Sequence, residues 1–385
     1  MSIMEASELI EIINRGEDSA HQFKSNITNP ESIAAEMVAF SNTKGGMLII
    51  GVDDNGSLIG VPDGEVGRIN QLLANTATNS VKNPINPFTE NIVVEGKRII
   101  VVHIPEGIDK PYFDNNGVVW LKSGSDKRRV TSREELRRLY QSSDLVHADE
   151  IPVNGASMEN LDLKFFRDFY RLEYDENVDD ADIEIRQLMN NLNLAKGNIL
   201  NIAGLLLFSQ KPEIYKPAFI VKAISFVGND PGGLEYRDSE DISGKLPEQY
   251  KKTLSFITRN LRKIQNGQGI NSPGILEIPK IVLEELLVNA LIHRDYFINA
   301  PIRVFIFDNR LEIISPGILP NNLTIENIKS GVSVIRNDIL ASFATKILPY
   351  RGIGTGVRRA LKSYPEIQLV NDTENNQFKV IVTRK

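Results

Sequence analysis

The sequence predicts an α+β protein of more than one domain. At 385 residues and 41% hydrophobic composition, the chain can bury two or three cores. Helical and strand patterns alternate through the first part of the chain and again in its last part, while a polar, irregular stretch at 144–156 lies between them. We predict domains at 1–143 and 276–385, with a mainly helical middle segment at 157–275.

Composition excludes several classes of protein. The chain has no cysteine, which excludes a disulfide scaffold, a cysteine-ligated zinc site and a thiol nucleophile. The first helix carries Glu5, Glu8 and Glu11 where a secretory signal needs a basic start and an apolar middle. Apolar runs at 48–52 and 199–208 are too short to cross a bilayer. We expect a cytoplasmic protein with no membrane partner.

The charge balance constrains any nucleic-acid function. Lysine and arginine number 44 against 50 acidic residues, which gives a net charge of −6. A uniformly basic surface is therefore excluded, and nucleic-acid binding would need a local basic patch.

The first 140 residues alternate between helix and strand signals. Apolar residues at helical spacing predict helices, alternating and continuous apolar runs predict strands, and Asp54-Asn55-Gly56 predicts a tight hairpin turn. We predict helices at 5–14, 30–42, 66–80 and 131–141, and strands at 21–25, 47–53, 57–61, 91–95, 98–105 and 118–122.

The same signals predict the secondary structure of the remaining chain. The middle segment has one strong strand pattern and one long helix pattern, and it ends at a second joint rich in glycine. A helix, a hairpin, further helices and two short strands follow. The predicted bounds are a strand at 218–227, a helix at 246–264, the joint at 267–273, a helix at 279–294, and hairpin strands at 302–307 and 311–315.

A motif near the N-terminus resembles a known domain. Glu17 and Gln22-Phe23-Lys24 precede a helix that ends in the stretch Ala-Phe-Ser-Asn-Thr-Lys-Gly-Gly at 39–46. Gly51, Asp54, Gly56 and Gly60 follow in step. This order resembles the Schlafen AlbA-type domain over about the first 140 residues. The resemblance implies an α/β nucleic-acid-binding domain.

Cations cluster towards the end of this domain. Arg133 and Arg137 lie one helical turn apart and share a face, so with neighbouring loop cations they could form a ridge suited to phosphates. A solvated helix face is the alternative interpretation. The candidate nucleic-acid-binding residues are Lys24, Lys122, Lys127, Arg128, Arg129, Arg133 and Arg137.

The same resemblance offers a second activity. Some Schlafen relatives are metal-dependent nucleases that use a carboxylate cluster, and the matching positions here are Glu17, Gln22 and Asp53. Glutamine is neutral and binds a hard cation more weakly than a carboxylate does. A nuclease with catalytic Glu17 and Asp53 is therefore an alternative to a binding domain.

The helix predicted at 279–294 carries a second motif. Glu285, Asn289 and His293 are four residues apart and share one helix face. The pattern resembles the corresponding helix of the gyrase, histidine-kinase and MutL ATPase superfamily, whose fold is an α/β sandwich. The resemblance implies that ATP and Mg²⁺ are cofactors, that Glu285 activates water and that Asn289 holds the nucleotide's magnesium ion. His293 is a candidate nucleotide-binding residue.

The sequence after this helix resembles the helicase-related branch of that superfamily. This branch commonly follows an AlbA-type domain in proteins described as transcriptional regulators. Gly352, Gly354 and Gly356 match its phosphate loop, where bare amides before a helix suit anionic phosphates. Ser315 and Gly317 take the place of the superfamily's Asp-x-Gly adenine site. A neutral hydroxyl bonds adenine more weakly than a carboxylate does, so a retained fold without nucleotide is the alternative.

The sequence therefore predicts a nucleic-acid-binding transcriptional regulator with a nucleotide-sensing or vestigial ATPase-like domain. We expect DNA rather than RNA as its partner, and a homo-oligomer. One alternative is a Schlafen-like nuclease acting in defence or toxicity. Another is a non-catalytic structural oligomer.

Overall fold

The computed structural model describes residues 4–143, 145–180, 183–233, 235–265, 274–320 and 323–384. The chain divides into an N-terminal unit, Met1–Val146, and a C-terminal unit, His147–Lys385. The joint predicted at 267–273 lies outside the described residues. None of the helices in the described ranges combines the length and apolar character that a bilayer crossing requires.

The N-terminal unit is an α/β structure built on a small sheet. Its helices are α1 (Ala6–Arg15), α2 (Pro30–Asn42), α3 (Asp63–Asn75), which continues as a π-helical turn at Thr76–Ser80, and α4 (Arg133–Ser142). Its strands are β1 (His21–Lys24), β2 (Gly46–Ile50), β3 (Val81–Lys82), β4 (Phe88–Val94), β5 (Lys97–Ile104), β6 (Phe113–Asp114), β7 (Trp120–Ser123) and β8 (Asp126–Arg129).

Four of these strands form the sheet in the order β1-β2-β5-β4, and only the β1–β2 pair is parallel. Successive residues of a strand point to opposite faces. Leu48 and Ile50 accordingly pack with α2, while Ile49 packs with α1 on the other face. Helix α2 begins where predicted because Asn29 accepts hydrogen bonds from two backbone amides and Pro30 occupies the first turn.

The return strand predicted at 57–61 is wrong. Val52 and Leu58 form a single isolated bridge, and no ladder follows it in the described residues. The carboxylate of Asp53 accepts hydrogen bonds from the amides of Asn55 (3.0 Å) and Ser57 (2.7 Å). These bonds close a compact turn, after which the amides of Gly60 and Val61 donate to the carbonyls of Gly51 (2.9 Å) and Arg98 (2.8 Å) without forming a strand.

The C-terminal unit holds both the middle and the last segments. Its helices are α5 (Leu163–Tyr174), α6 (Ile185–Asn191), α7 (Ile202–Phe208), α8 (Leu246–Asn260), α9 (Lys280–His293), α10 (Ile325–Ser330), α11 (Asp338–Ile347) and α12 (Gly356–Ser363). Its strands are β9 (Pro152–Ser157), β10 (Ala195–Lys196), β11 (Ile199–Asn201), β12 (Val221–Phe226), β13 (Tyr236–Ile242), β14 (Lys263–Ile264), β15 (Ile275–Leu276), β16 (Ile302–Ile306), β17 (Arg310–Pro316), β18 (Ile367–Asp372) and β19 (Gln377–Thr383).

One six-stranded sheet spans the two segments, in the order β13-β12-β16-β17-β19-β18. Strand β12 of the middle segment runs parallel to β16, with Val221 opposite Ile302. A single buried core covers this sheet and the helices α7, α8 and α9. The middle segment thus adds two strands to the sheet as well as its helices.

The end of α9 is fixed against β17. The amide of Asp295 donates to the carbonyl of Pro316 at 2.8 Å, and the buried Asn337 side chain donates to the carbonyls of Ile292 (2.8 Å) and Arg294 (3.0 Å). Because both elements are held at this point, the polar residues of α9 lie beside the end of β17.

Candidate functional site

A cavity of about 110 Å³ lies between α9, the strands β17 to β19 and the segment around α10. Five of the residues predicted from the sequence to bind nucleotide line this cavity. Most of the other lining side chains are apolar, including Leu286, Ile313, Leu319, Ile328, Val357 and Phe378. The five selected residues are Asn289, His293, Ser315, Gly317 and Gly354.

A smaller cavity of about 20 Å³ adjoins the first, since Asn289 and Gly354 line both. Its walls are the glycine loop at 352–356 with Glu285 and two arginines, Arg351 and Arg359. An apolar slot that opens onto a cationic glycine loop suits a molecule with one flat apolar end and one anionic end.

The glycines of this loop are required by the backbone and by close contacts. Gly352 and Gly354 have φ values of 67° and 71°, in the left-handed region that favours glycine. A Cβ atom on Gly356, the first residue of α12, would lie 2.3 Å from a carboxylate oxygen of Glu285. In the described residues no side-chain hydrogen bond caps α12, so the amides of its first turn are available to an anion.

Glu285 is 7% exposed and forms an ion pair with Arg359 of α12. Burial raises the pKa of its carboxyl group, while the positive charges of Arg359 and Arg351 oppose that shift. A carboxylate with a raised pKa suits a general base, provided that it can reach the attacking water.

Asn289 is the residue that fits a magnesium ion. Its side-chain amide donates to the carbonyl of Glu285 at 2.5 Å, and its side-chain oxygen has no hydrogen-bond partner in the described part of the chain. Magnesium in nucleotide sites is held by one or two protein oxygens together with phosphates and water. Asn289 would supply that protein oxygen, and the ion would neutralise phosphate charge.

His293 contributes no charge to the cavity at neutral pH. Burial lowers its pKa to about 4, and the charge of Arg336 acts in the same direction. Its Nε2 atom lies 3.1 Å from the hydroxyl of Tyr350. His293 is therefore a neutral side chain in the lining of the cavity.

The base-facing end of the cavity has a hydroxyl in place of a carboxylate. The hydroxyl of Ser315 donates to the carbonyl of Ala290 at 3.2 Å. Asp308, in the turn between β16 and β17, pairs with Arg237 at 2.6 Å and is absent from the cavity lining. Asp295, which lies against Gly317, is 7% exposed and accepts from the amide of Phe297.

Sequence reasoning missed the two arginines of the glycine loop. Arg351 directly precedes Gly352, and Arg359 lies one helical turn after Gly356. That spacing next to a phosphate-type loop was the available signal.

In the N-terminal unit, Lys122 was predicted to lie on an open basic surface, but its side chain is buried. Its side chain is 1% exposed and donates to the side chain of Gln22 and the carbonyl of Ser125, both at 2.7 Å. Lys127 forms an ion pair with the buried Glu36 at 2.6 Å. Both lysines were expected to meet phosphates, and instead they neutralise a buried carboxylate.

The other predicted cations fall into three groups. Arg128 pairs with Glu135 of α4. Arg129 is exposed, with its guanidinium 5.1 Å from the centre of the Trp120 ring, and Arg133 is exposed with no ion pair among the described residues. Lys24 and Arg137 are half-buried. Arg129 and Arg133 are thus the cations most open to a phosphate.

The carboxylates proposed for a nuclease are used locally. Glu17 accepts from the side-chain amide of Gln22 (2.5 Å) and the backbone amide of Phe23 (2.7 Å), and Asp53 closes its own turn. In the described ranges, no group of three histidine, cysteine or acidic side chains could hold a metal ion.

Two separate segments of the sequence match known family models. Residues 17–131 match the family model "Schlafen, AlbA_2", and residues 299–382 match "Putative ATP-dependent DNA helicase recG C-terminal". Both predicted resemblances are confirmed. The AlbA_2 match runs from Glu17 to just past β8. The RecG-type match includes Ser315 and the glycine loop, and it begins just after the helix that carries Glu285 and Asn289.

Solved structures with similarity include the DIP2311 protein from Corynebacterium diphtheriae, at 20% identity and a TM-score of 0.46, over 95% of this chain and 75% of that one. Another is the N-terminal domain of a RecG-related protein from Nitrosomonas europaea, at 25% identity and a TM-score of 0.26, over 34% of this chain and 92% of that one. A search of curated proteins found no match.

Proposed function

We propose that this chain is a nucleic-acid-binding regulator of transcription whose RecG-type region binds a magnesium–nucleoside phosphate. One observation carries the nucleotide part: Asn289, Ser315, Gly317 and the glycine loop converge on connected cavities, one apolar and one cationic. The nucleic-acid part is supported by the AlbA_2 match and by the open cations Arg129 and Arg133.

The proposal includes a cytoplasmic location, where nucleic acid and ATP are both present, and assembly into a homo-oligomer. Light scattering after size-exclusion chromatography tests the assembly. We do not propose a nuclease, because Glu17 and Asp53 each bond to groups of their own segment.

The chain supplies its own reporter for nucleic-acid binding. Trp120 is its only tryptophan, and it lies at the start of β7, under the guanidinium of Arg129. Titration with duplex DNA, single-stranded DNA and RNA at two salt concentrations should change its fluorescence, and the affinity should fall steeply as salt rises.

The outcomes of this titration are distinct. Tightest binding to duplex DNA supports the proposal as stated. Tightest binding to RNA would make RNA, not DNA, the nucleic-acid partner. An affinity insensitive to salt would show that phosphates are not the ligand. Absence of any binding would overturn the nucleic-acid part.

A further inference from the structure

The small cavity at the glycine loop contains a guanidinium that is only partly used. Arg359 forms its ion pair with Glu285 through one terminal nitrogen, Nη2. Its Nε atom is buried and has no hydrogen-bond partner among the described residues. A guanidinium presents five N–H donors in a fixed fork, so this side chain can bind a second anion without releasing the first.

The residues around Arg359 indicate where a second anion would bind. Gly356 approaches Glu285 so closely that a Cβ atom there would lie 2.3 Å from the carboxylate, and Arg351 acts on Glu285 by its charge. Glu285, Arg359 and the bare amides at the start of α12 therefore meet at one point, beside Asn289. An anion held by the loop amides would reach Nη1 of the guanidinium, which makes no hydrogen bond among the described residues.

We propose that Arg359 distinguishes a nucleoside triphosphate from a diphosphate by binding the terminal phosphate while it holds Glu285. The inference rests on the proposed nucleotide function. A diphosphate can occupy the loop amides and Asn289 yet leaves the free N–H groups of Arg359 without an anion. A triphosphate adds the group that they bind, and charge-assisted hydrogen bonds to a phosphate are among the strong ones.

The test is calorimetry of the full chain with magnesium and three probes: the non-hydrolysable β,γ-imido analogue of ATP, ADP, and inorganic tripolyphosphate. In the unmodified protein the analogue should bind at least about tenfold more tightly than ADP, as expected for one charge-assisted contact. Arg359→Gln should remove that difference and leave ADP affinity within about twofold. The matched control is Arg358→Gln, which alters the exposed neighbouring arginine and should change neither affinity.

A second pair of variants covers the possibility that Arg359→Gln fails to fold because Glu285 is left buried without a partner. Glu285→Gln should keep or increase the preference for the triphosphate, since the guanidinium stays and a competing carboxylate is lost. Glu285→Gln combined with Arg359→Gln should abolish the preference in a protein without the unpaired charge.

The possible results separate the two proposals. Nucleotide binding with equal affinity for analogue and ADP, or a preference that survives both Arg359 variants, overturns the role of Arg359 and leaves the nucleotide site intact. Tripolyphosphate binding that depends on Arg359, without nucleotide binding, supports the role of Arg359 and overturns the base-binding cavity. No binding of any probe overturns both.

Discussion

Lys122 donates a hydrogen bond to the side-chain oxygen of Gln22 at 2.7 Å, in the interior of the AlbA_2-type unit. The amide nitrogen of Gln22 in turn donates to Glu17 at 2.5 Å. Burial lowers the pKa of Lys122, and the charges of Glu36 and Glu17 oppose that shift. The neutral side-chain amide of Gln22 thus bridges the carboxylate of Glu17 and the ammonium group of Lys122, with one hydrogen bond to each.

Replacing that amide by a carboxylate should make the unit sensitive to pH. In Gln22→Glu, two carboxylates would face each other beside the single ammonium group of Lys122, which Glu36 already shares, so the pKa of the carboxylate left without a positive partner would be raised. Stability should then be greatest at low pH and fall as the pH rises through that raised pKa. Urea unfolding followed by Trp120 fluorescence at pH 5 and pH 8 measures this. Gln22→Met, which adds no charge, is the control, and equal pH dependence in both variants would contradict the prediction.

Arg129 should contribute directly to nucleic-acid binding. Because its side chain is exposed and has no carboxylate partner in the described part of the chain, Arg129→Gln should weaken binding and reduce the salt slope by about one. The control is Arg128→Gln combined with Glu135→Gln, which removes an ion pair without changing the net charge. Equal losses in the two proteins would show that the guanidinium of Arg129 does not contact phosphate.

The cavity should discriminate poorly between purine bases. ATP and GTP should bind with affinities within a few-fold of each other, since Ser315 offers a neutral group already bonded to Ala290.

Ser315→Asp should lower the free energy of unfolding by about 1–3 kcal/mol, because a carboxylate would face the carbonyl of Ala290 without a donor. It should also gain more thermal stability from ATP than from GTP. A wild-type preference for ATP above about tenfold, 1.4 kcal/mol, would indicate another acceptor for the adenine amino group.

Gly356→Ala should abolish nucleotide binding. The added methyl group would lie 2.3 Å from Glu285 and 3.3 Å from the amide nitrogen of Asn289, so both side chains must move. Gly64→Ala is the matched control: this glycine of α3 has nothing within 4 Å of the added atom. The control should gain up to about 1 kcal/mol of stability from helix propensity. Unchanged nucleotide affinity in Gly356→Ala would place the phosphates elsewhere.

Asp149 should make the C-terminal unit less stable as the pH rises. Its buried carboxylate accepts from the amide of Leu340 in the first turn of α11, and burial raises its pKa to about 6. A folded-state pKa above the unfolded value of 3.8 gives stability at pH 4 that is lost as the pH rises through about 6. The loss should amount to about 3 kcal/mol, at 1.36 kcal/mol per pKa unit.

Asp149→Asn isolates this contribution. The variant keeps an oxygen acceptor for Leu340 and removes the titration, so the difference in denaturant midpoint between the two proteins should grow from pH 4 to pH 7. A constant difference over that range would mean that Asp149 is ionised throughout.

Local signals predicted the elements that local chemistry determines. Helix α2 has the predicted bounds because its start is fixed by Asn29 and Pro30, which are visible in sequence. The motif of Glu285 and Asn289 was likewise readable, since four-residue spacing places side chains on one face of any helix. The RecG-type glycine loop was recognisable by the same route.

Features that depend on distant partners were not predictable. Lys122 looks like any loop lysine until Glu36 and Gln22 are brought to it from other elements. The strand expected at 57–61 has the right composition but lacks a partner strand for pairing, which composition alone does not reveal. Arg359 was overlooked because its importance comes from a carboxylate on another helix.

The sheet shared by the middle and last segments also constrains synthesis of the chain. Strand β12 has β16 as one of its two neighbours, and β16 is translated only after helices α8 and α9. Until then β12 exposes a hydrogen-bonding edge between apolar faces, the type of surface that promotes aggregation of incomplete chains. The nascent C-terminal unit should therefore depend on chaperones up to the emergence of β16, and fragments that stop before residue 302 should accumulate as insoluble material.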